Sequence, residues 1–338
     1  MRLTDFDYEL PVERIAQVPI EPRDAARLLV DRGRSEPGHL HVHDLPSLLG
    51  DGDLLVVNDT KVIPARLRLR RETGGAAEVL LLEPISSDRR TWEAMIRPAR
   101  KLRAGEHLVD SAGEALVEIG QRTRSGDTWE ITIVADGAPV ELLQRHGEMP
   151  LPPYIAVELA EPDRYQTVYA AEPASAAAPT AGLHFTPELL ASITAMGVEV
   201  ATVELVVGLD TFKPVVVDDP AQHVMHSERY RVDAEVMKQC RMARRVIAVG
   251  TTTTRALESA AALGELQGRT RLFINRPYDW RIVDVMMTNF HLPRTTLLMM
   301  IDAFIGDRWR RLYDVALAER YRFLSFGDAM LLDRWACR

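Results

Sequence analysis

Four short segments of this chain place proton carriers and hydrogen-bonding side chains beside turn residues. The first is AAPTAGLHF, residues 177–185. Pro179, Gly182 and His184 lie there between an alanine-rich stretch and a capped helix. Small residues let a ligand approach the backbone closely. Thr180 offers a hydrogen bond, and His184 can exchange a proton near neutral pH. Taken alone, a single histidine in such a loop reads first as a structural one. The second segment is HVMHSE, with His223, His226 and Glu228. Two histidines three apart beside a carboxylate could bind a metal, but three ligands are too few to fix a geometry. No metal is expected, and the cluster reads as an acid–base or orienting group.

The third segment runs VIAVGTTTTR, residues 246–255. A strand ends at Gly250 and four threonines open a helix, whose free N–H groups suit a carboxylate or phosphate. The G-K-[ST] ending of a P-loop and the G-x-G-x-x-G of a dinucleotide fold are both missing. N-capping by Thr251 accounts for one threonine but not for four consecutive poor helix formers. Glu258, three residues after Arg255, is placed to pair with it on the helix face. The fourth segment is TNFHLP, where Asn289 and His291 follow an apolar strand. Polar residues at strand ends of an α/β sheet commonly face a ligand, although an asparagine turn reads the same way. Four such segments together imply one pocket.

The elements that must position these groups fall into two patterns. Between residues 66 and 148 the chain reads as short strands with turn residues between them. Trp129, Ile131 and Ile133 alternate with polar residues, and 77–85 and 91–97 read as further strands. That region predicts a small antiparallel barrel. After residue 149, strands alternate with helices. Thr186 caps a helix opened by Pro187 and stopped by Gly197. A strand over 198–207 follows, then a helix over 233–245 and the strand 246–249. The helix 252–263, strands near Leu272 and over 282–287, and an apolar helix around 297–304 complete the pattern. A helix over 11–18 and a strand over 53–58 are expected near the start. The fold class is therefore an α/β discontinuous main domain, 1–65 and 149–338, with an inserted small antiparallel β-barrel domain, 66–148.

The 338 residues are 46% hydrophobic and 27% charged, a globular composition. The charged opening MRLTDFDYELPVER is unlike a signal peptide, and no apolar run is long enough to span a bilayer. A cytoplasmic protein without membrane contact is expected. The two cysteines, Cys240 and Cys337, read as reduced thiols. A formal charge of −8 argues against general nucleic-acid affinity. Local clusters argue the other way: Arg66, Arg68, Arg70 and Arg71; Arg97, Arg100, Lys101 and Arg103; Arg241, Arg244 and Arg245. They read either as solvated faces or as phosphate-binding patches.

The chain resembles the S-adenosylmethionine:tRNA ribosyltransferase-isomerase family of queuosine biosynthesis over nearly its whole length. The resemblance is carried by LPVERIAQVPIEPRDAARLL (10–29), VNDTKVIPARL (57–67), MPLPPYI (149–155), YQTVYA (165–170) and AAPTAGLHF. It continues through HVMHSE, AVGTTTTRALES (248–259), TNFHLP and YRFLSFGDAM (321–330), in the family's order. It implies an α/β domain with an inserted barrel. It also implies transfer of the ribosyl part of S-adenosylmethionine to 7-aminomethyl-7-deazaguanine at the tRNA wobble position. Isomerisation would then give epoxyqueuosine, with adenine and methionine released. S-adenosylmethionine is thus expected as a substrate, with no permanently bound cofactor, and tRNA as the partner of a monomer or weak homodimer.

Under this resemblance the catalytic candidates are His184, His226, Glu228, His291 and Asp328. His184 or His226 is nominated as base, and Asp328 or Glu258 for orienting the donor. Candidates for binding donor or base are Asn58, Thr60, Thr180, Gly182, Phe185, Thr251, Thr252, Arg255, Glu258 and Asn289. Arg66, Arg68, Arg97, Lys101 and Arg103 are nominated for tRNA phosphates. The chain departs from the family where members read L-H-V-G-x-G-T-F: Val206 replaces a histidine and Asp210 a glycine. Asn275-Arg276-Pro277 stands where members have Tyr-Pro-Gly. Two rival readings follow: a related transferase with a different acceptor, and a tRNA-binding relative without catalysis.

Overall fold

In the computed structural model, which describes residues 2–123, 126, 128–208, 215, 217–225 and 227–336, the chain first forms part of a large sheet. Strands β1 (Arg27–Val30), β2 (Gly38–His41) and β3 (Asp53–Asn58) precede the short β4 (Thr60–Val62). The chain then leaves for a second sheet of strands β5 (Arg66–Arg71), β6 (Ala76–Pro84), β7 (Thr91–Arg97), β8 (His107–Val109), β9 (Ala115–Arg122) and β10 (Trp129–Ile133). These six pair antiparallel in the order β5-β6-β7-β10-β9-β8, and β5 pairs back onto β8, so the barrel is closed. Alternation drives this closure. In β10, Trp129, Ile131 and Ile133 point inward beside Leu67, Val79 and Ile119, while the residues between them face outward. Helix α1 (Pro139–His146) and the two-residue β11 (Gly147–Glu148), paired to β5, lead the chain out.

The return completes the large sheet. Strand β12 (Glu172–Ser175) pairs with β4, and helix α2 (Pro187–Ala195) starts at the Thr186 cap, whose hydroxyl accepts from the Leu189 N–H at 3.1 Å. Strand β13 (Glu199–Leu205), β14 (Glu228–Arg231), helix α3 (Ala234–Met242), β15 (Arg245–Val249) and helix α4 (Gly250–Leu263) follow. Then come β16 (Gln267–Thr270), β17 (Val285–Asn289), helices α5 (Thr296–Ile305) and α6 (Arg308–Ala318), and β18 (Ala329–Asp333). Among the described residues the nine strands of this sheet run β16-β14-β13-β3-β15-β17-β18-β1-β2. The central β3, β13, β15 and β17 are parallel, and both faces are covered. Along β3, Leu54 and Val56 pack with α4, α5 and α6, whereas Leu55 and Val57 pack with α2 on the opposite face.

Several expectations are corrected. Residues 11–18 form only a 3-10 turn, Val12–Arg14, and not a helix. The rest of that segment is held extended: Ala16 N–H donates to the Phe323 carbonyl, and Phe323 N–H donates to that of Arg14. The strand expected near Leu272 ends at Thr270, and the one expected over 282–287 begins at Val285. Strands β1, β2, β14 and β18 and helices α1 and α6 are among the elements not anticipated. Cys240 is buried in the core, which pushes its thiol up to about 12. Cys337 and Asp210 lie outside the described residues. No helix is long and apolar enough to cross a membrane among the described residues.

Candidate active site

A cavity opens where the parallel strands β15 and β17 end and α4 and α5 begin. Apolar side chains form most of its wall, among them Leu205, Val207, Met225, Phe273, Met300 and Leu324. Polar groups line it too: Thr180, Glu228, Thr251, Thr252, Arg255, Thr288, Asn289 and His291. The four segments singled out in the sequence therefore do meet.

The threonine run has a specific geometry. Helix α4 begins at Gly250, and its cap is the backbone of Val249, not Thr251, which lies inside the first turn. Gly250 has φ +91°, a left-handed conformation that side chains disfavour. Thr253 donates its hydroxyl to the Val249 carbonyl (2.7 Å) and Thr254 donates to that of Gly250 (3.0 Å). Two of the four threonines thus brace the turn. Thr252 does not. Its hydroxyl oxygen is buried and makes no hydrogen bond to another protein atom, beside the free N–H groups of a 14-residue helix.

Arg255, one turn further, does not pair with Glu258 as its spacing suggested. Its Nη1 donates to Glu228 Oε2 at 2.5 Å, reaching across to β14, and Glu228 Oε1 accepts the Gly208 N–H at 2.8 Å. Both side chains are over nine-tenths buried. Glu228 is the one carboxylate among the described residues lining the cavity. Glu258 is fully buried away from it, where Oε1 accepts the N–H groups of Ile282 and Val283 and Oε2 takes the Tyr278 hydroxyl. It braces the approach to β17.

Asn289 closes the end of β17. Thr180 donates its hydroxyl to Asn289 Oδ1 (2.9 Å), and Asn289 Nδ2 donates to His184 Nε2 (3.2 Å), the amide ends being assigned from this network. His184 thus stands one layer behind the cavity. Burial lowers its pKa to about 4, aided by the nearby Arg322 charge, while a hydrogen bond to the Arg23 backbone opposes the shift. The ring is therefore neutral, and Nε2 accepts. His291 lines the cavity directly, and burial lowers its pKa to about 3. Its Nε2 lies 3.0 Å from the Thr288 hydroxyl. At neutral pH it is an uncharged hydrogen-bonding imidazole.

Other nominated residues lie elsewhere. Asp328 accepts the N–H groups of Arg27 (2.9 Å) and Arg322 (2.7 Å), so it clamps the loop before β18. Asn58 bridges β3 to β13, accepting from Thr60 N–H and donating to the Leu205 carbonyl. Thr60 is buried within β4, and Phe185 belongs to the core under α2. Gly182 is small for a packing reason. A Cβ there would sit 1.9 Å from the Tyr169 hydroxyl, so the space taken for a ligand's is occupied by tyrosine. His226 lies outside the described residues. Val206 sits between two cavity-lining residues without lining the cavity itself. Arg276 forks onto the buried Asp302 and reaches Asp307, tying α5 to α6. Tyr154 and Ser325, joined hydroxyl to hydroxyl at 2.7 Å, also line the cavity and were not nominated. They belong to the segments MPLPPYI and YRFLSFGDAM, whose family likeness was the available signal.

The basic candidates lie on the barrel. Arg68, Glu78 and Arg97 are register neighbours across β5, β6 and β7, so they share one face. Arg66 and Arg68 line a cleft between the barrel and residues 147–166, together with Lys61 and Arg89. Glu148, Glu158 and Asp163 line it too, and Glu148 pairs with Arg68 at 2.8 Å. Lys101 and Arg103 are exposed in the turn after β7. A separate group, His41, His43 and Asp44, places potential ligand atoms within 4.8 Å at the β2 edge. The two imidazole rings are stacked nearly parallel (4°) on the exposed surface.

Comparison with known proteins gives the family of the chain. The profile described as "Queuosine biosynthesis protein" matches residues 3–332. A Symbiobacterium thermophilum protein named S-adenosylmethionine:tRNA ribosyltransferase-isomerase is 50% identical, covering 98% of this chain and all of that one. A Rubrobacter xylanophilus protein of the same name is 49% identical over 98% of each. The crystal structure of an S-adenosylmethionine tRNA ribosyltransferase from Thermotoga maritima is 36% identical, with a TM-score of 0.54, covering 97% of this chain and 99% of that one.

Proposed function

The chain belongs to the family of queuosine biosynthesis proteins, and from this we propose that it moves the ribosyl part of S-adenosylmethionine onto 7-aminomethyl-7-deazaguanine at the tRNA wobble position. The attached ribose is isomerised to an epoxycyclopentane, giving epoxyqueuosine, and adenine and methionine leave. The observation that carries this reading is the polar wall. Thr252 at the start of α4, the Arg255–Glu228 pair and the Thr180–Asn289 pair, backed by His184, line one largely apolar cavity.

In this reading the start of α4 and the Thr252 hydroxyl receive the donor's amino-acid carboxylate. The Arg255–Glu228 pair holds ribose hydroxyls, and Phe273 and the apolar wall take adenine. The sulfonium acidifies the C5′ hydrogens, and Glu228, the carboxylate of this wall, accepts that proton. Neutral His291 hydrogen-bonds the departing adenine or the incoming amine without repelling a cationic donor. His184 acts through Asn289. Arg66, Arg68 and Arg97 on the barrel face, with Lys101 and Arg103, contact tRNA phosphates.

The test is incubation with S-adenosylmethionine and tRNA carrying the aminomethyl deazaguanine, following adenine release and the mass of the wobble nucleoside. Stoichiometric adenine and the epoxycyclopentane product are expected. Release only with another acceptor would support a different transferase, and binding without release would support a non-catalytic relative.

A further inference from the structure

One side chain joins the barrel to the cavity wall. Arg269 on β16 sends Nη1 to both carboxylate oxygens of Glu83, at 2.7 and 2.8 Å, and Glu83 lies on barrel strand β6. The same guanidinium turns its other donors to the cavity loop. Nε donates to Ser227 Oγ at 2.9 Å and Nη2 donates to the Ser227 carbonyl at 2.8 Å. Ser227 immediately precedes Glu228, the carboxylate that holds Arg255.

Each partner answers a conflict in its own sheet. Arg269 stands directly opposite Arg229 on β14, and Glu83 directly opposite Glu93 on β7. Like charges so placed repel. Arg229 is neutralised by Glu204 at 2.9 Å, and Glu93 accepts the Thr128 hydroxyl at 2.5 Å. Arg269 and Glu83 neutralise each other across the domains. A register shift between Leu81 and Glu83 breaks the β6–β7 pairing at this point, as a bulge that aims a side chain out of the sheet does.

We propose that Arg269 is a positioning residue that fixes the barrel relative to the Ser227–Glu228 wall, so that RNA held on the barrel presents its base to the cavity in register; this rests on the reading that the barrel binds tRNA. Arg269 is half-exposed (49%), and ion pairs of that kind contribute little to stability. What a planar guanidinium forked between two domains supplies is distance and angle.

The test uses the full chain and the variants Glu83→Gln, Arg269→Gln, Arg269→Lys and Glu83→Gln with Arg269→Gln. It measures kcat for tRNA-dependent adenine release, Kd for tRNA and for S-adenosylmethionine, and the unfolding midpoint. Each glutamine variant should lower kcat about ten-fold through misplacement of the base, with both Kd values within about two-fold and the midpoint unchanged. The double variant should be no slower than Arg269→Gln, because the two residues act as one contact. Arg269→Lys should recover part of the loss, since an ammonium reaches Glu83 but cannot also fork onto Ser227. Unchanged kcat in the single variants, or losses that multiply in the double, would overturn the proposal. Arg66→Glu with Arg68→Glu is measured alongside. If tRNA affinity survives that reversal, the barrel reading falls and the positioning role falls with it. If affinity is lost there while the Glu83 and Arg269 variants keep kcat, the positioning role falls alone.

Discussion

Replacing His184 with glutamine isolates one titration. Glutamine can still accept from Asn289 Nδ2, so the chain through Thr180 survives, but it carries no titratable group. In the wild-type protein burial holds the His184 pKa near 4, against about 6.5 for the unfolded chain. Between those values the unfolded state binds more protons than the folded one. Stability is therefore fully present above about pH 6.5 and falls as the pH drops towards 4. Each tenfold difference in proton affinity between the two states is worth about 1.4 kcal/mol, so the whole effect is about 3 kcal/mol, of which about 2 kcal/mol is lost between pH 7 and pH 5. Urea unfolding followed by circular dichroism at pH 7, 6 and 5 would measure it. All other titrating groups are common to both proteins, so the wild-type minus variant difference reports His184. That difference should shift by about 2 kcal/mol against the wild type on acidification to pH 5. Parallel curves would refute the buried neutral imidazole, and with it the acceptor role of Nε2 towards Asn289.

Three further outcomes follow from the same geometry. Glu228→Gln keeps the Gly208 contact but removes the proposed proton acceptor and the charge paired with Arg255. Adenine release in rapid-quench assays should fall about 10³-fold, and S-adenosylmethionine affinity, which draws on the Arg255–Glu228 pair, should fall by less. Reversing Arg66 and Arg68 should weaken tRNA binding and flatten the log–log salt dependence by about one to two units in filter binding; an unchanged slope would place tRNA elsewhere. Arg276→Ala strips the buried Asp302 of its forked partner, leaving the Trp309 N–H, and should cost about 3 kcal/mol in denaturant unfolding without touching the cavity.

What could be read from the chain beforehand was whatever is local. The Thr186 cap, Pro187 and Gly197 bound α2 because capping is decided within a few residues. The alternation at Trp129, Ile131 and Ile133 revealed a barrel strand for the same reason. Contacts between distant segments were hidden. Arg255 had a plausible partner three residues away in Glu258, but burial sent it to Glu228, 27 residues back, while Glu258 went to the free N–H groups before β17. Residues 11–18 carry enough apolar character for a helix, yet their backbone groups are claimed by Phe323. Helix α6 and strand β18 were missed because RWRRLYDVALA is strongly charged and β18 is defined by pairing with β17 and β1. The four chemical segments were legible, but which of their residues face the cavity was not. Gly182 and Phe185 share the first of those segments, and Asp328 the motif YRFLSFGDAM, yet all three serve the scaffold that holds the others.

The most direct test of the cavity as the donor site is Thr252→Val. The substitution is nearly isosteric and removes a buried hydroxyl that has no protein partner in the free enzyme. If the hydroxyl is held for the donor, the unfolding midpoint of the free protein should hold or rise, because an unsatisfied polar group is lost. Calorimetric affinity for S-adenosylmethionine should fall by up to about ten-fold, the worth of one hydrogen bond. Loss of stability with unchanged affinity would contradict the account, because Thr252 would then serve the fold and the donor would bind elsewhere.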